Sequence, residues 1–397
     1  MNVTIGVGGR FHAFDLAREL DRHGALQRLL TSYPRRIAQA HGVPAERVRS
    51  FVASEVFKRV ARRGPTWLED RVQPTINEQF ARWAGRQVPR DTDLFVGWSG
   101  FSAQALERAR GYGAKTVLER GSAHIEAQAE LLQRAYEGSP VSPRLPHPRV
   151  IAKELEEYES ADRIAVPSRF VLDSFLERGF SEDRFLVNPY GVRLDQFSPG
   201  APGERDPEGP FRALFVGLAC RRKGVHDLLR AFERADLPEG SEIWFAGRVL
   251  PEVEEELARF SAHKVQLFGS LPQAELVHLY RQASLFVLPS YEEGMAMVVP
   301  QAMACGLPCL VSENSGCAEL IRETRAGEVI PPGDVEALAA ELTWFAEQVP
   351  ERVAMGERAA QRVTAGLTWA DYGDRAVELY RELLRSEPVD APLEMAA

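Results

Sequence analysis

The sequence is poor in cysteine and lacks long apolar runs, and both absences exclude whole classes of protein. Four cysteines occur among 397 residues, and no two of them form a C-x-x-C pair. We therefore expect buried thiols in a reducing compartment, without a structural zinc site or a disulfide framework. No run of about 18 apolar residues exists, so no membrane-spanning helix is predicted. The N-terminus has neither a basic lead nor a cleavage site, which favours a cytoplasmic protein without a signal peptide.

Motifs for metal, nucleophilic and redox chemistry are also missing. There is no Ser-His-Asp order, no H-E-x-x-H and no EF-hand loop. Asp91 and Asp93 form a D-x-D pair, but it leads into a predicted strand and is not expected to hold a cation. Residues 6–11 read G-V-G-G-R-F, so Phe11 stands where the third glycine of the dinucleotide fingerprint belongs. NAD-linked oxidoreduction therefore stays open only as a weakly supported alternative.

Charge is distributed unevenly along the chain. The net charge is −9, yet residues 1–200 carry 29 basic and 25 acidic side chains, and residues 35–90 hold 12 basic against 5 acidic ones. Residues 35–90 have two interpretations: a patch that makes weak contact with the inner face of the membrane or with an acceptor, or a solvated helix face, which is commoner. Nucleic-acid binding is not predicted, because no binding motif accompanies the charge. The patch comprises Phe51, Val52, Val56, Phe57, Lys58, Arg59, Val60, Arg62 and Arg63.

Short apolar runs alternate with segments of helical periodicity in both halves of the chain. The rhythm restarts after residues 196–210, which contain four prolines and no apolar period. Alternating strands and helices predict parallel sheets. We therefore predict an α/β protein with two doubly wound, Rossmann-like domains at residues 1–200 and 211–368, joined by a linker at residues 196–210. Residues 34–90 are predicted to be mostly helical, with breaks at Pro44, Pro65 and Pro74.

The most informative segment covers residues 285–310, where a strand, a glycine turn and a helix follow one another. Leu285–Leu288 is a short apolar run typical of a buried strand. Glu293 and Gly294 form a turn, and the helix begins near Met297. Free amides at the start of a helix attract phosphate, and parallel sheets bind ligands at the carboxyl ends of their strands. A ligand that carries phosphate is therefore predicted at this turn; the alternative is that Glu293 is only a polar turn residue.

This segment resembles the donor-binding signature of the retaining glycosyltransferases of family 4, which have the GT-B fold. The signature reads E-G-F-G-x-x-x-x-E-A-x-A-x-G-x-P, and here Glu293 takes the first glutamate position while Gln301 stands at the second. Upstream, F-V-G-L-A-C-R-R-K-G resembles the G-R-L-x-x-x-K-G segment of the family. Gly217 and Lys223 match it, and Leu218 stands where the family has Arg. The matched segments keep the family's order from near the N-terminus to about residue 380.

The resemblance implies roles on the donor side of a cleft between two domains. Glu293 would face the donor sugar, and Gln301 would lie near the ribose. Lys223, with Arg221 or Arg222, would stabilise the diphosphate as the sugar bond breaks. The predicted catalytic residues are Glu293, His124 and Lys223, and the predicted donor-binding residues are Gly8, Gly9, Gly217, Arg221, Arg222, Lys223, Ser270, Leu271, Glu293, Gly294, Met295, Ala296, Met297 and Gln301.

Other implied roles lie in the first half. The loop at Gly8 and Gly9 would approach the diphosphate from the acceptor side. His124 follows a strand, in R-G-S-A-H, at a position where the family often contacts the donor sugar. A structural role for His124 is the alternative, and Glu119 and Arg120 are the next candidates.

By resemblance, the chain would move a sugar from a nucleotide-diphosphate sugar to an acceptor hydroxyl with retention of configuration, without a metal or another cofactor. The acceptor, a glycan, a lipid-linked molecule or a small molecule, is expected on residues 1–200 and the nucleotide on residues 211–368. A C-terminal helix at residues 370–397 is expected to pack back on the first domain. Two alternatives stay open: a non-catalytic nucleotide-sugar-binding partner subunit, and a sugar-nucleotide epimerase of the same fold.

Overall fold

Two groups of alternating strands and helices make up the fold. The computed structural model describes residues 1–61, 66–201, 203–260 and 264–385. The strands form two separate sheets in which neighbouring strands run parallel. The predicted α/β class with two doubly wound domains is therefore confirmed.

The first domain contains a seven-stranded sheet. Its elements are β1 (Val3–Val7), α1 (Ala13–Arg22), β2 (Leu26–Thr31), α2 (Arg35–Ala40), β3 (Val48–Ser50), α3 (Val52–Ala61), α4 (Thr66–Gln87), β4 (Leu94–Trp98), α5 (Ala103–Arg110), β5 (Lys115–Glu119), α6 (Ile125–Ala135), α7 (Pro148–Ser160), β6 (Arg163–Val166), α8 (Arg169–Leu176) and β7 (Phe185–Val187). The strand order is β3-β2-β1-β4-β5-β6-β7. The order reverses between β1 and β4, which places a crevice at their carboxyl ends.

The second domain repeats this plan with six strands. Its elements, followed by the C-terminal helix, are β8 (Arg212–Val216), α9 (Val225–Arg234), β9 (Glu242–Ala246), α10 (Pro251–Ala258), β10 (Val265–Gly269), α11 (Gln273–Gln282), β11 (Leu285–Leu288), α12 (Val298–Ala304), β12 (Cys309–Ser312), α13 (Ala318–Thr324), β13 (Gly327–Ile330), α14 (Val335–Glu347), α15 (Val349–Thr364) and α16 (Trp369–Arg385). The strand order is β10-β9-β8-β11-β12-β13, so the reversal lies between β8 and β11.

The central strands are buried on both faces, as parallel strands between helix layers must be. All four residues of β11 are buried, which explains why the sequence shows an unbroken apolar run there rather than an alternation. The four cysteines are free and buried, as predicted. Among the described residues, no helix combines the length and the apolar character needed to cross a bilayer.

The chain crosses between the domains twice, and the two crossings lie side by side. Val192 on the outward path pairs with Thr368 on the return path. After the return, α16 packs on α1 of the first domain. A Cβ at Gly373 would come 2.4 Å from the Cβ of Glu19, so the two helices approach closely. Residues 386–397 of the expected C-terminal helix lie outside the described residues.

Residues 34–90 differ from the predicted, mostly helical segment in two places. Val48–Ser50 forms a strand beside β2, a piece too short to show an alternating pattern in the sequence. Pro74 lies inside α4 rather than at a break. Buried Phe80 and Ala84 further along hold this helix against the core, and that packing outweighs the one backbone hydrogen bond that proline removes. Pro65 lies outside the described residues.

The described parts of the proline-rich segment, residues 196–201 and 203–210, pack on the second domain rather than forming a free connection. Phe197 is 1% exposed. Prolines remove periodicity from a sequence but do not prevent packing, so composition alone could not show this. The guanidinium group of Arg205 donates hydrogen bonds to the carbonyl oxygens of Tyr280, Arg281, Cys305 and Gly306.

Candidate functional site

The carboxyl ends of the two sheets meet at the turn that follows β11. Gly294 lies against the backbone after β5, and a Cβ on it would come 2.0 Å from the carbonyl oxygen of Gly121. Ser168, at the start of α8, donates a hydrogen bond from Oγ to the carbonyl oxygen of Gly294 at 2.6 Å. The turn predicted to hold a phosphate-bearing ligand therefore lies in direct contact with the first domain.

The basic run between β8 and α9 is held beside the same turn. Arg221–Lys223 forms one 3-10 turn, which ends at Gly224 with a φ of 68°. A Cβ on Gly224 would come 2.1 Å from the carbonyl oxygen of Pro289. Only glycine combines this left-handed backbone with so close an approach. The contact brings the basic run next to Glu293.

Lys223 and Arg222 both form ion pairs with Glu293. Nζ of Lys223 lies 2.7 Å from Oε2 of Glu293, and Nη1 of Arg222 lies 3.3 Å from the same oxygen. A Cβ on Gly217 would come 3.5 Å from Nζ of Lys223, so this glycine borders the pair. The loops after β8 and β11 thus bring four of the predicted residues together.

A carboxylate that the sequence analysis missed completes the group. Glu292 is 1% exposed, and its Oε2 lies 3.4 Å from Nη1 of Arg222. Its Oε1 accepts a hydrogen bond from the backbone N–H of Ala123 at 3.2 Å, and its Oε2 accepts one from Nε2 of Gln128 at 3.2 Å. The signature that begins E-G-F-G starts at Glu293, so it gave no signal for the residue before it. We call Arg222, Lys223, Glu292 and Glu293 the ion cluster.

Within the ion cluster, electrostatics favour the charged forms of Glu293 and Arg222. Burial raises the pKa of Glu293, but the ion pairs with Lys223 and Arg222 lower it by more, so the pKa lies below its ordinary value. Burial lowers the pKa of Arg222, whereas Glu293 and Glu292 raise it by more. Lys223 and Arg222 already lie against carboxyl groups of the ion cluster, so an anionic ligand must compete with these groups for the two basic side chains.

Arg221 turns away from the ion cluster. Its guanidinium group pairs with Glu256 on α10, and its backbone N–H donates to Oε1 of Glu252 at 2.8 Å. Of the two arginines predicted for the diphosphate, Arg222 is therefore the one that lies beside Glu293 and Lys223.

The residues after Gly294 lead into α12 as predicted, with Met297 as its N-cap. Met295 and Ala296 are buried. The Sδ atom of Met295 accepts a hydrogen bond from the backbone N–H of Tyr190, which lies on the path between the domains, at 3.2 Å. Contacts from these residues to a donor sugar or phosphate stay a prediction.

The residues predicted for the nucleoside lie at two separate places in the second domain. Gln301 is 7% exposed, and its Oε1 accepts a hydrogen bond from the hydroxyl of Tyr280 at 3.3 Å. Ser270 is exposed and Leu271 is half-buried, directly after the edge strand β10. The ribose and base contacts of these residues stay predictions.

The loop after β1 is tightly packed. Nζ of Lys58 donates to the carbonyl oxygen of Gly8 at 2.7 Å, and a Cβ on Gly8 would come 2.2 Å from the ring of Phe101. A Cβ on Gly9 would come 2.7 Å from the ring of Phe11. Phe11 has a φ of 42°, a strained conformation for an aromatic residue, and it is 59% exposed. The predicted approach of this loop to the diphosphate stays a prediction.

His124 lies in the aromatic core of the first domain. Its Nδ1 accepts a hydrogen bond from the backbone N–H of Glu126 at 3.3 Å and so caps α6. Its ring centroid lies 5.2 Å from that of Tyr158 and 4.9 Å from that of Phe175. Since the side chain is 1% exposed, this geometry favours the structural alternative for His124 over the predicted sugar contact. The sequence placed His124 after a strand but could not show which way its ring turns.

Arg120 and Glu119, the neighbouring candidates, are both buried and paired. Nη1 of Arg120 lies 2.6 Å from Oε2 of Glu154 on α7. Oε2 of Glu119 lies 3.2 Å from Nε2 of His12. Arg120 also donates from Nη2 to Oε1 of Gln128 at 3.0 Å, which links it to the partner of Glu292.

We expect His124→Asn to weaken the pH dependence of stability while keeping α6 capped. Burial, with Arg178 and Arg120 nearby, lowers the pKa of His124 to about 4. A histidine with a lowered pKa contributes stability that is present above pH 6.5 and is lost as the pH falls towards 4. Asparagine is a good N-cap and does not titrate, so the variant should lose about 2 kcal/mol of the stability difference between pH 7 and pH 4.5. Urea unfolding at pH 7 and pH 4.5 measures it.

The comparison has an internal control. His226, whose pKa is lowered to about 3, also makes stability fall at low pH. Its effect is the same in wild type and in His124→Asn, so it cancels when the two are compared. If His124→Asn instead removed enzymatic turnover and left the pH dependence of unfolding unchanged, a role in the site would replace the structural one.

A separate cavity of about 700 Å³ opens between α6 and α8 of the first domain and α13 of the second. Its lining carries four arginines and six carboxylates, an excess of negative charge. Nη2 of Arg178 lies 2.8 Å from Glu130, and Nη2 of Arg322 lies 2.9 Å from Glu313. The cavity borders Gly316, one loop away from the ion cluster, but Lys223 and Glu293 do not line it. It therefore offers a phosphate group less positive charge than the turn after β11.

Known proteins resemble parts of this chain in sequence. The family described as glycosyl transferases group 1 matches residues 202–362. D-inositol 3-phosphate glycosyltransferase of Corynebacterium urealyticum is 31% identical over 245 residues, which are 55% of this chain and 56% of that protein. Glycogen synthase of Mycobacterium tuberculosis is 27% identical over 188 residues, which are 46% of this chain and 45% of that protein. The chain thus spans about half the length of the curated relatives it matches.

Solved structures extend the likeness over both domains. Sucrose-phosphate synthase from Thermosynechococcus elongatus superposes with a TM-score of 0.72 at 18% identity and covers 98% of this chain and 100% of that chain. HepE of Anabaena in complex with UDP gives a TM-score of 0.68 at 13% identity, with 96% and 100% covered. At such identities the likeness shows the fold and not the activity. The chain has the GT-B fold, and its residues 202–362 match the group 1 glycosyl transferases.

Proposed function

We propose that this chain is a glycosyltransferase that takes a sugar from a nucleotide-diphosphate sugar and retains its anomeric configuration. One observation carries the proposal: Lys223 and Arg222 converge on Glu293 at the carboxyl edge of the second sheet, against the first domain. Transfer of the sugar leaves negative charge on the departing diphosphate, and fixed cations at that point lower the barrier. Relatives named as glycosyltransferases, and a neighbour in complex with UDP, support the same class of donor.

The diphosphate and Glu293 compete for the same two cations in this proposal. When the donor binds, Lys223 and Arg222 exchange part of their contact with the carboxylate for phosphate oxygens. Glu293 then accepts hydrogen bonds from the hydroxyls of the sugar. This exchange is local, because cations and carboxylate all lie within about one side-chain length.

The reaction follows from that arrangement. The acceptor oxygen forms a bond to the anomeric carbon on the face from which the diphosphate leaves, while the bond from that carbon to the phosphate oxygen breaks. The acceptor proton passes to the departing phosphate oxygen. Lys223 and Arg222 hold the charge that appears there, so the proposed site works without a metal or another cofactor.

The acceptor belongs to the first domain in this proposal and is a glycan, a lipid-linked molecule or a small molecule. On α3, Val56 is 53% and Phe57 is 61% exposed, which supports weak contact with the inner face of the membrane. Lys58 and Arg59 contribute less than their sequence suggests. Lys58 binds the carbonyl oxygen of Gly8, and Arg59 pairs with Glu55 at 3.1 Å. Val60, Arg62 and Arg63 of the patch lie outside the described side chains.

A thermal-shift screen with UDP, GDP, ADP, NAD and the common nucleotide sugars tests the proposal. One nucleoside diphosphate should raise the melting temperature, since a ligand at about 100 times its Kd adds about 2.7 kcal/mol. The matching sugar donor should then be consumed, with NMR showing the original anomeric configuration in the product. No stabilisation by any nucleotide at millimolar concentration would overturn the proposal.

The same screen separates the alternatives. Stabilisation without donor consumption, with or without acceptors, would indicate a non-catalytic binding subunit. A new nucleotide sugar as the product would indicate an epimerase. Stabilisation by NAD alone would favour oxidoreduction.

A further inference from the structure

Glu292 is a buried carboxylate whose partners come from both domains. Its Oε1 binds the backbone N–H of Ala123 in the first domain, while its Oε2 binds Gln128 of the first domain and Arg222 of the second. Burying a carboxylate costs several kcal/mol unless hydrogen bonds and an opposite charge replace its water. Arg222 supplies the opposite charge from within the second domain, but Glu292 has its hydrogen bonds from Ala123 and Gln128 only while the domains are in contact.

The two partners in the first domain are themselves held in place. Arg120 donates from Nε at 3.0 Å and from Nη2 at 2.7 Å to the carbonyl oxygen of Ala123. Its Nη2 also binds Oε1 of Gln128, so the amide nitrogen of Gln128 points at Glu292. Arg120 is 6% exposed and pairs with Glu154. The first domain therefore presents Glu292 with two donors in fixed positions.

On the other side, Glu292 orients the guanidinium group of Arg222. Nη1 of Arg222 donates to the carbonyl oxygen of Glu292 and also lies near the side-chain oxygens of Glu292 and Glu293. A guanidinium group binds two oxygens in a fixed plane, so its orientation decides whether it can grip a diphosphate.

We propose that Glu292 is a positioning residue that aligns Arg222 for the diphosphate when the two domains close, an inference that rests on the proposed function. Donor binding and domain closure are then coupled through one carboxylate. The sequence motif of the family does not contain this glutamate, and its partner Gln128 lies 164 positions away in the sequence.

A second contact between the domains provides the matched control. The hydroxyl of Tyr136 on α6 donates to both carboxylate oxygens of Glu252 at 2.8 Å. This contact also joins the domains through a carboxylate, but Glu252 binds the backbone of Arg221 rather than Arg222. Tyr136→Phe should therefore loosen the domain contact without disturbing Arg222.

The experiment compares three variants: Glu292→Gln, Tyr136→Phe, and the double variant Glu292→Gln with Gln128→Glu. In the double variant, which we call the exchanged pair, the two side chains trade places. Binding of inorganic pyrophosphate and of the nucleoside diphosphate that stabilises the protein in the thermal-shift screen (UDP, GDP or ADP) is measured by calorimetry, and hydrogen exchange of residues 120–128 is measured without ligand. Glu292→Gln should weaken both probes about 10-fold or more, because its amide nitrogen would face the donors of Arg222 and Gln128. Glu292→Gln should also speed the hydrogen exchange of residues 120–128. Tyr136→Phe should keep wild-type affinity for both probes.

The exchanged pair separates alignment from simple attachment of the domains. A glutamate at position 128 can accept a hydrogen bond from the side-chain amide of glutamine at position 292. The hydrogen exchange of residues 120–128 should therefore be slow again. Affinity for pyrophosphate should stay low, since Arg222 still lacks its carboxylate. Melting temperatures confirm that each variant folds.

Three results would overturn the role of Glu292 while leaving the proposed function intact. These are equal weakening by Tyr136→Phe, recovery of affinity in the exchanged pair, and unchanged or tighter binding by Glu292→Gln, which would make Glu292 only a competing charge. If wild-type protein bound neither probe at millimolar concentration, the proposed function itself would fail. The exchange rates would then still show whether Glu292 holds the domains together.

Discussion

Lys223→Ala is expected to lower nucleotide-sugar turnover by about 100- to 1,000-fold, the loss typical when one fixed donor to a developing anion is removed. Nζ of Lys223 is the cation nearest to the carboxylate of Glu293, at 2.7 Å. Gly217 and Gly224, at the two ends of the basic loop, leave room for this placement. Arg222 alone would then face the departing diphosphate. Steady-state kinetics with the donor found in the nucleotide screen measures the loss.

Stability must be measured beside turnover, because Lys223 also stabilises a buried charge. Removing one partner of a buried ion pair commonly costs about 3–5 kcal/mol. Here the cost should be smaller, since Arg222 still pairs with Glu293 at 3.3 Å. The variant should therefore fold, with a lower melting temperature. Turnover that stayed within a few-fold of wild type would remove Lys223 from the site.

Arg230→Ala is the control for the loss of a positive charge. Arg230 lies on α9, the helix that follows Lys223, and its side chain is 54% exposed beside Asp227. Asp227 is buried, but its distance from Arg230 is 3.9 Å and it keeps a hydrogen bond from the hydroxyl of Tyr291 at 2.9 Å. A long pair with one exposed partner contributes about 0–1 kcal/mol. Turnover and melting temperature should therefore both stay near the wild-type values.

Most of the strands and helices can be predicted from the local pattern of apolar residues in the sequence. Fully buried parallel strands such as β11 read as unbroken apolar runs, and the helices between them show their own period. The exceptions occur where tertiary packing decides. Val48–Ser50 becomes a strand because β2 lies beside it. Pro74 stays within α4, whose far end is buried in the core.

The candidate site is predictable only where its residues are neighbours in sequence. Glu293 and Lys223 were found because each belongs to a short motif. Their ion pair was not predicted, since it depends on the contact between Gly224 and the carbonyl of Pro289. Glu292 was missed because two of its three partners, Ala123 and Gln128, lie in the other domain.

The sequence also does not show in which direction a side chain points. Arg221 and Arg222 are adjacent, yet one pairs with Glu256 on α10 and the other with the carboxylates after β11. His124 follows β5 as predicted, but its ring turns into the aromatic core. In both cases a rotation about one or two side-chain bonds decides which groups the side chain contacts.

Gly294→Ala is expected to separate the domains at the site and to lower turnover by about 100-fold or more, since a misplacement of 1 Å can cost that much. A Cβ at Gly294 would come 2.0 Å from the carbonyl oxygen of Gly121 and 2.9 Å from Cα of Ser122. These are backbone atoms of the first domain that cannot rotate away. The domains must therefore move apart, and the hydrogen bond from Ser168 to the carbonyl of Gly294 should be lost.

The change leaves the core of each domain untouched, because the clash lies between domains. We therefore expect a small effect on the melting temperature, a larger radius of gyration in X-ray scattering, and faster hydrogen exchange at residues 120–128.

Gly111→Ala adds the same methyl group at a φ of −63°, where its nearest neighbours are carbonyl oxygens at 3.5 Å, and should change none of these quantities. If Gly294→Ala kept both wild-type turnover and wild-type scattering, the contact between Gly121 and Gly294 could not belong to the reacting state, and a donor site closed by the first domain would have to be abandoned.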